Sequence, residues 1–428
     1  MPSMSRRGWL TALAVAGCVC AFLAYGARLG IDYLSPPCHG YVCDDAGPSI
    51  DALASGHVHE FFAQQPPMGG FSLLVRAPFA AAAKAAGGHD LAIYRAGVFA
   101  CLLGLALLAV WLVSAMSRAG RPRAACLIVP AALLVNPLTY AALDYGHPEE
   151  LLGAALCAGA VLAAARGRGL VAGLLLGSAI ATKQWAVLAV LPVLLAAPSG
   201  MRLRLLGAAG GSAGLLLVPM LLADPSRFWL AQKSVGIATT FQHTETAGNI
   251  WFPFANGSTG ATLTPTGTQV TTQYSLPSWL GHVTHPLVIL LALAACVLYA
   301  RRRRGVAPDE ALQLLALLFL VRCIFDPLTY SYHHAPFLVA LISYEALRRR
   351  VPVLSGVAIA ALLLMTHVIA PMKDAGLVNA FYLAWSLPLA AVLALAVLAP
   401  GRLDALVGPL AARLRDAVRS RAASAPAA

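Results

Sequence analysis

The chain has 428 residues, of which 59% are hydrophobic and 11% are charged, and its mean hydropathy is +0.74. Soluble domains carry about 25% charged residues, and no long polar stretch here could form one. The composition therefore predicts a single polytopic membrane domain over residues 1–419, followed by a disordered tail over 420–428. The net charge of +12 does not indicate nucleic-acid binding, because the basic residues form short clusters between apolar runs.

The predicted fold class is all-α, a transmembrane bundle of about twelve spans. The apolar segments are centred near residues 19, 104, 134, 158, 176, 191, 214, 292, 317, 341, 361 and 388. The first segment follows Arg6 and Arg7 and is predicted to be an uncleaved signal anchor. Two longer connections, over about 31–90 and 224–285, are predicted to be large loops on one face of the membrane.

Charged residues separate by the side of the apolar segments on which they lie. Every second connection is basic, and these connections hold 21 of the 30 Lys and Arg but only 5 of the 18 Asp and Glu. Positively charged loops stay in the cytoplasm. The other connections, which hold the remaining acids and the histidines, therefore face outward, and both termini are cytoplasmic. Any chemistry that uses acids or histidines is predicted on the outer face.

The first outer loop contains the adjacent acids Asp44 and Asp45, then Asp51, and a Pro-Pro stretch that re-enters the membrane near Phe71. An acid in a partly desolvated groove can act as a general base toward a hydroxyl group. The alternative is that these acids are solvated loop residues without a chemical role.

The next outer turn is very short and crowded with Asp144, His147, Glu149 and Glu150. These groups either cap two helices, since acids are favoured at a helix start, or they contact a substrate. Trp251 begins a Trp-Phe-Pro-Phe stretch at the same level, which is either an interfacial aromatic belt or an apolar binding surface.

Basic groups at the outer ends of apolar segments predict an anion site. Gly169 to Thr182 is 14 residues, or roughly 21 Å of helix, which is shorter than a ~30 Å hydrocarbon core. Lys183 is therefore recessed below the outer surface, where a cation requires a cavity or a partner anion. Arg322 lies inside an apolar segment, and His333 and His334 follow at its outer turn. Phosphate is the predicted anion.

No metal ion or cofactor is predicted. His57 and His59 lie near Glu60, but their spacing is not a strong metal signature, and the chain lacks a His-Glu-x-x-His pattern. Cys38 and Cys43 lie close together in the first outer loop, where an oxidising environment permits a disulfide.

The acid pair, the re-entering Pro-Pro stretch and the recessed lysine resemble the GT-C superfamily of polyprenyl-phosphate-sugar-dependent glycosyltransferases. A closer resemblance is to glycosyltransferase family 87, bacterial proteins similar to alpha-mannosyltransferases. The motifs are Gly146-His-Pro-Glu-Glu150, Lys183-Gln-Trp185 and Tyr332-His-His-Ala-Pro-Phe337, and the similarity spans about residues 31–337.

This resemblance implies inverting transfer of mannose, or of arabinose or another pentose, from a polyprenyl-phosphate donor to an envelope glycolipid or polysaccharide outside the bacterial plasma membrane. It implies that Asp44 or Asp45 is the catalytic base, with Asp51 left open. The implied phosphate contacts are Lys183, Arg322, His333 and His334. The implied acceptor or sugar contacts are Asp51, Asp144, His147, Glu149, Glu150 and Trp251.

Two other functions compete with this interpretation. A transporter or lipid flippase would explain why Pro-Leu-Thr-Tyr occurs twice, at 137–140 and 327–330, in segments six apart. It would, however, place ionisable groups near the membrane midplane rather than at one surface. A membrane scaffold would need neither the recessed Lys183 nor the embedded Arg322.

Overall fold

A computed structural model describes residues 6–27, 46–64, 69–236, 240–241, 244–264, 267–302, 307–348 and 351–402. These residues are almost entirely helical, which confirms the all-α class apart from one small sheet. The predicted disulfide residues Cys38 and Cys43, and the predicted tail over 420–428, lie outside the described residues.

The α-helices of the described residues are, in chain order, α1 (Arg6–Gly26), α2 (Gly47–Ala54), α3 (Val58–Gln64), α4 (Gly70–Ala85), α5 (Asp90–Arg118), α6 (Arg123–Leu134), α7 (Pro137–Asp144), α8 (Glu149–Ala165), α9 (Gly169–Ile180), α10 (Val190–Ala196), α11 (Arg202–Ala223), α12 (Pro225–Gly236), α13 (Ser278–Arg302), α14 (Pro308–Phe325), α15 (Ala335–Arg348), α16 (Val353–Leu364) and α17 (Ala375–Leu398). Shorter 3-10 helices occupy Gln184–Ala189, Ser199–Met201, Thr244–Ala247, Phe252–Phe254, Ser331–His334 and Ala370–Met372, and a π-helical turn occupies Met365–Ile369.

The sheet lies in the second predicted outer loop. Its strands are β1 (Thr240–Phe241), β2 (Asn256–Thr264) and β3 (Gly267–Ser275), in the order β1-β3-β2. All pairs are antiparallel, and β2 pairs with β3 from Asn256 opposite Ser275 to Thr264 opposite Gly267. The sequence prediction contained no sheet.

Seven helical segments of the described residues are long and apolar enough to cross a membrane, which makes the chain a multi-pass membrane protein. They are Gly8–Gly26, Asp90–Arg118, Arg123–Asp144, Ser199–Ala223, Ser278–Arg302, Val353–Met372 and Ala375–Leu398. They coincide with seven of the predicted segments. The remaining segments correspond to the shorter or more charged helices α8, α9, α10, α14 and α15, so the count of twelve spans stays a prediction.

Helices α8, α14 and α15 form the centre of the bundle. Residues 311–320 of α14 and 335–346 of α15 are buried without interruption, and so are the first residues of α8. By contrast, only 17% of the span window in Ser199–Ala223 is buried inside the protein. Other helices therefore separate the central ones from lipid, which is the setting in which membrane proteins tolerate ionisable side chains.

Hydrogen bonds attach the segment between α12 and α13 to the end of α14. The Asn249 side chain donates to the Pro327 carbonyl (3.2 Å), and the Ile250 amide donates to the Ile324 carbonyl (2.9 Å). The Asn379 side chain, from α17, donates to the Asn249 carbonyl (2.6 Å). These bonds hold the segment that carries Trp251 against the bundle.

A close backbone contact joins the start of α4 to the turn after α9. The Gly69 amide donates to the Thr182 carbonyl (2.9 Å), and the Phe71 amide donates to the Ala181 carbonyl (3.1 Å). A Cβ atom at Gly69 would lie 1.8 Å from the Ala181 oxygen, so only glycine permits this approach. The contact fixes the turn that presents Lys183.

Replacement of Gly69 should therefore destabilise the protein. We expect Gly69→Ala to cost about 1–3 kcal/mol, because the backbone of the α9 turn must move to make room. Thermal unfolding in detergent measures this effect. The control is Gly207→Ala in α11, where an added Cβ atom would meet no other atom within 4 Å. Equal melting temperatures for the two variants would contradict the role of the contact.

Candidate functional site

The first turn of α8 holds two buried carboxylates. Asn136 caps α7 through bonds from the Leu138 and Thr139 amides, and a tight turn then leads to Glu149 and Glu150. Glu149 is 0% exposed and Glu150 is 2% exposed. Such burial is costly unless cations neutralise the charges.

Lys183 supplies the nearest cation. Its Nζ atom lies 3.0 Å from Glu149 Oε1 and 3.5 Å from Glu150 Oε1, and the side chain is 17% exposed. Its backbone is extended between α9 and the following 3-10 helix, which directs the chain across to α8. The sequence predicts a recessed lysine that needs a cavity or a partner anion. Two carboxylates of the same chain are partner anions of Lys183 in the structure, and its predicted contact with a donor phosphate stays a prediction.

Arg76 is a second cation of this cluster, and the sequence prediction missed it. The side chain projects from α4, is 0% exposed, and places Nη1 3.9 Å from Glu149 Oε2. Gly97 makes room for it, since a Cβ atom there would lie 3.0 Å from Arg76 Nε. The signal was present in the sequence as a lone arginine in an apolar run, the same signal that identified Arg322.

Arg322 is the third cation, near the C-terminal end of α14. Its Nε atom lies 3.8 Å from Asp326 Oδ2, and its guanidinium lies 5.6 Å from the centre of the Trp185 ring. Trp185 is two residues from Lys183, and the charges of Arg322 and Lys183 interact. The buried Arg322 Nη1 atom has no hydrogen-bond partner in the described part of the chain, so it can donate a hydrogen bond to an incoming anion.

A cluster of aromatic side chains lies beside the carboxylates of Glu149 and Glu150. His147 donates from Nδ1 to Glu149 Oε1 (3.0 Å) and stacks on Tyr332, with ring centres 4.7 Å apart. Tyr332 also contacts His333 at 4.6 Å and Tyr145 at 5.3 Å. The structure thus brings His147 and His333 together from two distant segments.

His334 has a different environment from His333. It is 0% exposed, and its ring nitrogens lie 3.1 Å from the Ser331 carbonyl and 3.0 Å from the Tyr382 hydroxyl. Both nitrogens are therefore engaged within the bundle. This arrangement gives His334 a packing role between the 3-10 helix Ser331–His334 and α17.

The other predicted residues lie apart from the buried carboxylates. Asp51 accepts a 2.6 Å bond from Lys84 Nζ at an exposed position. Asp144 is half-buried at the end of α7. Trp251 donates from Nε1 to the Phe325 carbonyl (2.7 Å), which places it at the end of α14 near Asp326. The predicted bases Asp44 and Asp45 lie outside the described residues.

We define the ionic cluster as Arg76, Glu149, Glu150, Lys183, Arg322 and Asp326. It contains equal numbers of basic and acidic groups. Within the described ranges, no group of three or more His, Cys, Asp or Glu side chains could hold a metal ion. The chemistry that this arrangement supports is electrostatic, namely the exchange of an internal carboxylate for an external anion at a water-poor site.

The family model of glycosyltransferase family 87 matches residues 69–327 of the chain. The chain belongs to glycosyltransferase family 87. It is therefore a glycosyltransferase, which uses a sugar donor and an acceptor, and its apolar helices place it in a lipid bilayer. This membership decides against the transporter and scaffold hypotheses. No curated protein matches the chain.

The matched residues of the glycosyltransferase extend from Gly69, at the start of α4, to Pro327, just after α14. They include the whole ionic cluster. The match does not reach Asp44, Asp45, His333 or His334. The family assignment thus coincides with the part of the fold that gathers the buried charges.

Removal of Lys183 should leave two carboxylates buried without their nearest cation. We expect Lys183→Met to destabilise the protein by up to about 3–5 kcal/mol. Adding Glu149→Gln to Lys183→Met should recover part of that loss. The expected coupling free energy between the two positions is about 0.5–3 kcal/mol. A double-mutant cycle of thermal stability in detergent measures the coupling.

The matched control for this cycle is Lys84→Met combined with Asp51→Asn. This ion pair has a similar short distance but both side chains are exposed, so its coupling should be about 0–1 kcal/mol. Additive effects of Lys183→Met and Glu149→Gln would show that the buried pair does not contribute as described.

Proposed function

We propose that the protein transfers mannose from a polyprenyl-phosphate donor to an envelope glycolipid or polysaccharide on the outer face of the bacterial plasma membrane, with both termini in the cytoplasm. The observation that carries this proposal is the ionic cluster, in which three cations converge where charge sorting places the outer ends of the helices. Nothing in the cluster identifies the sugar, and mannose follows from the family resemblance.

The donor phosphate is proposed to bind between Lys183 and Arg322. Lys183 is partly exposed, and Arg322 Nη1 is without a hydrogen-bond partner in the described residues. His333 is half-buried and lies beside the stack formed by Tyr332 and His147, so it can contact the same phosphate. His334 is left out of this site, because both of its ring nitrogens have partners in the bundle.

Glu149 and Glu150 are proposed to hold the cations rather than to contact the acceptor. One Glu149 oxygen already faces both Lys183 and His147, and both carboxylates are buried away from the surface from which an acceptor enters. The acceptor or sugar contacts that remain are His147, Asp144 and Trp251. The carboxylates prevent Lys183 from standing as an isolated buried charge before the donor arrives.

Asp44 or Asp45 is proposed as the general base. It removes the proton of the acceptor hydroxyl as that oxygen attacks the anomeric carbon. The bond from the anomeric carbon to the phosphate oxygen breaks, and the lipid phosphate leaves with its added negative charge stabilised by Lys183 and Arg322. Asp51 suits this role less well, because its carboxylate pairs with Lys84 at the surface.

Loss of the base should slow turnover without weakening the donor complex. We expect Asp44→Asn or Asp45→Asn, at the position that carries the base, to lower turnover by roughly 10²–10⁴-fold. Asp51→Asn is the matched control and should retain most activity. Transfer of labelled sugar from the lipid donor to an envelope glycan extract measures turnover. Full activity of both Asp44→Asn and Asp45→Asn would remove this assignment.

Donor binding should stabilise the folded protein. At a concentration of 100 times Kd, a polyprenyl-phosphate sugar should add about 2.7 kcal/mol to wild-type stability. The Lys183→Met/Glu149→Gln variant keeps the cluster neutral but lacks the ammonium group, so we expect it to lose this stabilisation. Lys84→Met should retain it. The same donor-induced shift in melting temperature for wild type and the double variant would show that Lys183 does not hold the phosphate.

A further inference from the structure

Helix α12, in the second outer loop, has two different faces. The half-buried side chains that face the protein are Phe228, Ala231 and Gln232. The opposite face is exposed and includes Trp229 (56%), Leu230 (67%), Arg227 and Lys233. This face combines a tryptophan and a leucine with two cations and contains no acid, which is typical of helices that lie in a membrane interface.

The position of α12 agrees with such an interface. It begins directly after the candidate span Ser199–Ala223, where Asp224 Oδ1 accepts bonds from the Arg227 amide (3.0 Å) and the Ser226 hydroxyl (2.7 Å). The chain thus turns at the end of the span instead of continuing away from it. Trp279, at the start of α13, is a second tryptophan that is 56% exposed. In a water-filled setting, the exposed Trp229 and Leu230 side chains would have no apolar surroundings.

The inner face of α12 contacts the segment that carries Lys183. The Gln184 side-chain amide donates to the side-chain oxygen of Gln232, and Gln184 follows Lys183 directly in the chain. At the edge of the exposed face, Arg227 donates to the Ala63 carbonyl at the end of α3 (3.1 Å) and pairs with Asp224 (Nε to Oδ2, 3.4 Å). Gln184 and Val187 are exposed, whereas Trp185 and Ala186 between them are buried. The accessible side of the Lys183 turn therefore borders α12.

We propose that α12 lies in the headgroup layer of the outer leaflet and forms a lateral entrance through which a lipid-linked phosphate reaches Lys183. The partner of the exposed face is the anionic headgroup layer, with Trp229 and Leu230 directed toward the acyl chains and Lys233 toward lipid phosphates. The Gln184–Gln232 bond joins this entrance to the Lys183 turn. This inference rests on the proposed lipid-phosphate donor and adds the route by which that donor arrives.

The depth of α12 is tested with a Leu230→Cys variant in a cysteine-free background, labelled with an environment-sensitive fluorophore. The protein is reconstituted in vesicles of phosphatidylethanolamine and phosphatidylglycerol. We expect quenching by lipids that carry a spin label high on the acyl chain, and little quenching by aqueous iodide. Strong quenching by iodide, with no effect of the spin-labelled lipids, would overturn the interfacial placement.

The entrance is tested with a Trp229→Ser/Leu230→Ser variant and two probes, a long-chain polyprenyl phosphate in the vesicles and a short-chain, water-soluble prenyl phosphate. We expect the long-chain probe to bind severalfold more slowly than to wild type and the short-chain probe to bind at the wild-type rate. The control is Leu203→Ser. This leucine is 84% exposed and lies at the opposite end of α11 from α12, so the change should affect neither probe.

The outcomes separate the two proposals. If the α12 variant binds both probes as wild type does, the entrance is wrong, and the donor site at Lys183 still stands if Lys183→Met/Glu149→Gln loses both probes. If wild type itself binds neither probe, the proposed lipid-phosphate donor fails and the entrance fails with it.

Discussion

The carboxylates of Glu149 and Glu150 are removed from water at the first turn of α8, and their charges must be matched by cations within hydrogen-bonding or short ionic distance. Lys183 Nζ lies 3.0 Å from Glu149 Oε1 and 3.5 Å from Glu150 Oε1. Arg76, from α4, lies 3.9 Å from Glu149 Oε2. Three segments far apart in the chain are therefore held at one point. The backbone bonds between Gly69 and the α9 turn serve the same arrangement, because they fix the distance between α4 and Lys183.

The same constraint explains why the central helices differ from the peripheral ones. Helices that face lipid must be long and apolar, whereas α8, α14 and α15 are shielded by neighbours and can carry glutamate and arginine. A glycosyltransferase that uses a lipid-linked donor needs such a region, since its leaving phosphate must be stabilised where water is excluded. In the proposed function, Lys183 and Arg322 exchange these carboxylates for the donor phosphate.

Much of this fold follows from the sequence. Apolar runs predict the helices, and the sorting of charges predicts that Lys183, Arg322 and the acids near Glu149 gather at one end. The pairing of Lys183 with Glu149 could not be predicted, because the positions lie 34 residues apart on elements whose relative rotation is set by packing. Arg76 was overlooked since it lies within a segment assigned to an outer loop. The β2–β3 hairpin was overlooked since its threonine-rich strands are polar, although threonine favours strands.

The position of a bound lipid phosphate tests the central claim most directly. Single-particle electron microscopy of the protein in lipid nanodiscs with polyprenyl phosphate would locate the phosphorus atom. The account predicts phosphate oxygens within about 3–4 Å of both Lys183 Nζ and the Arg322 guanidinium, as charge-assisted hydrogen bonds require. A phosphate bound elsewhere on the protein, with Lys183 still paired to Glu149 and Glu150, would contradict it.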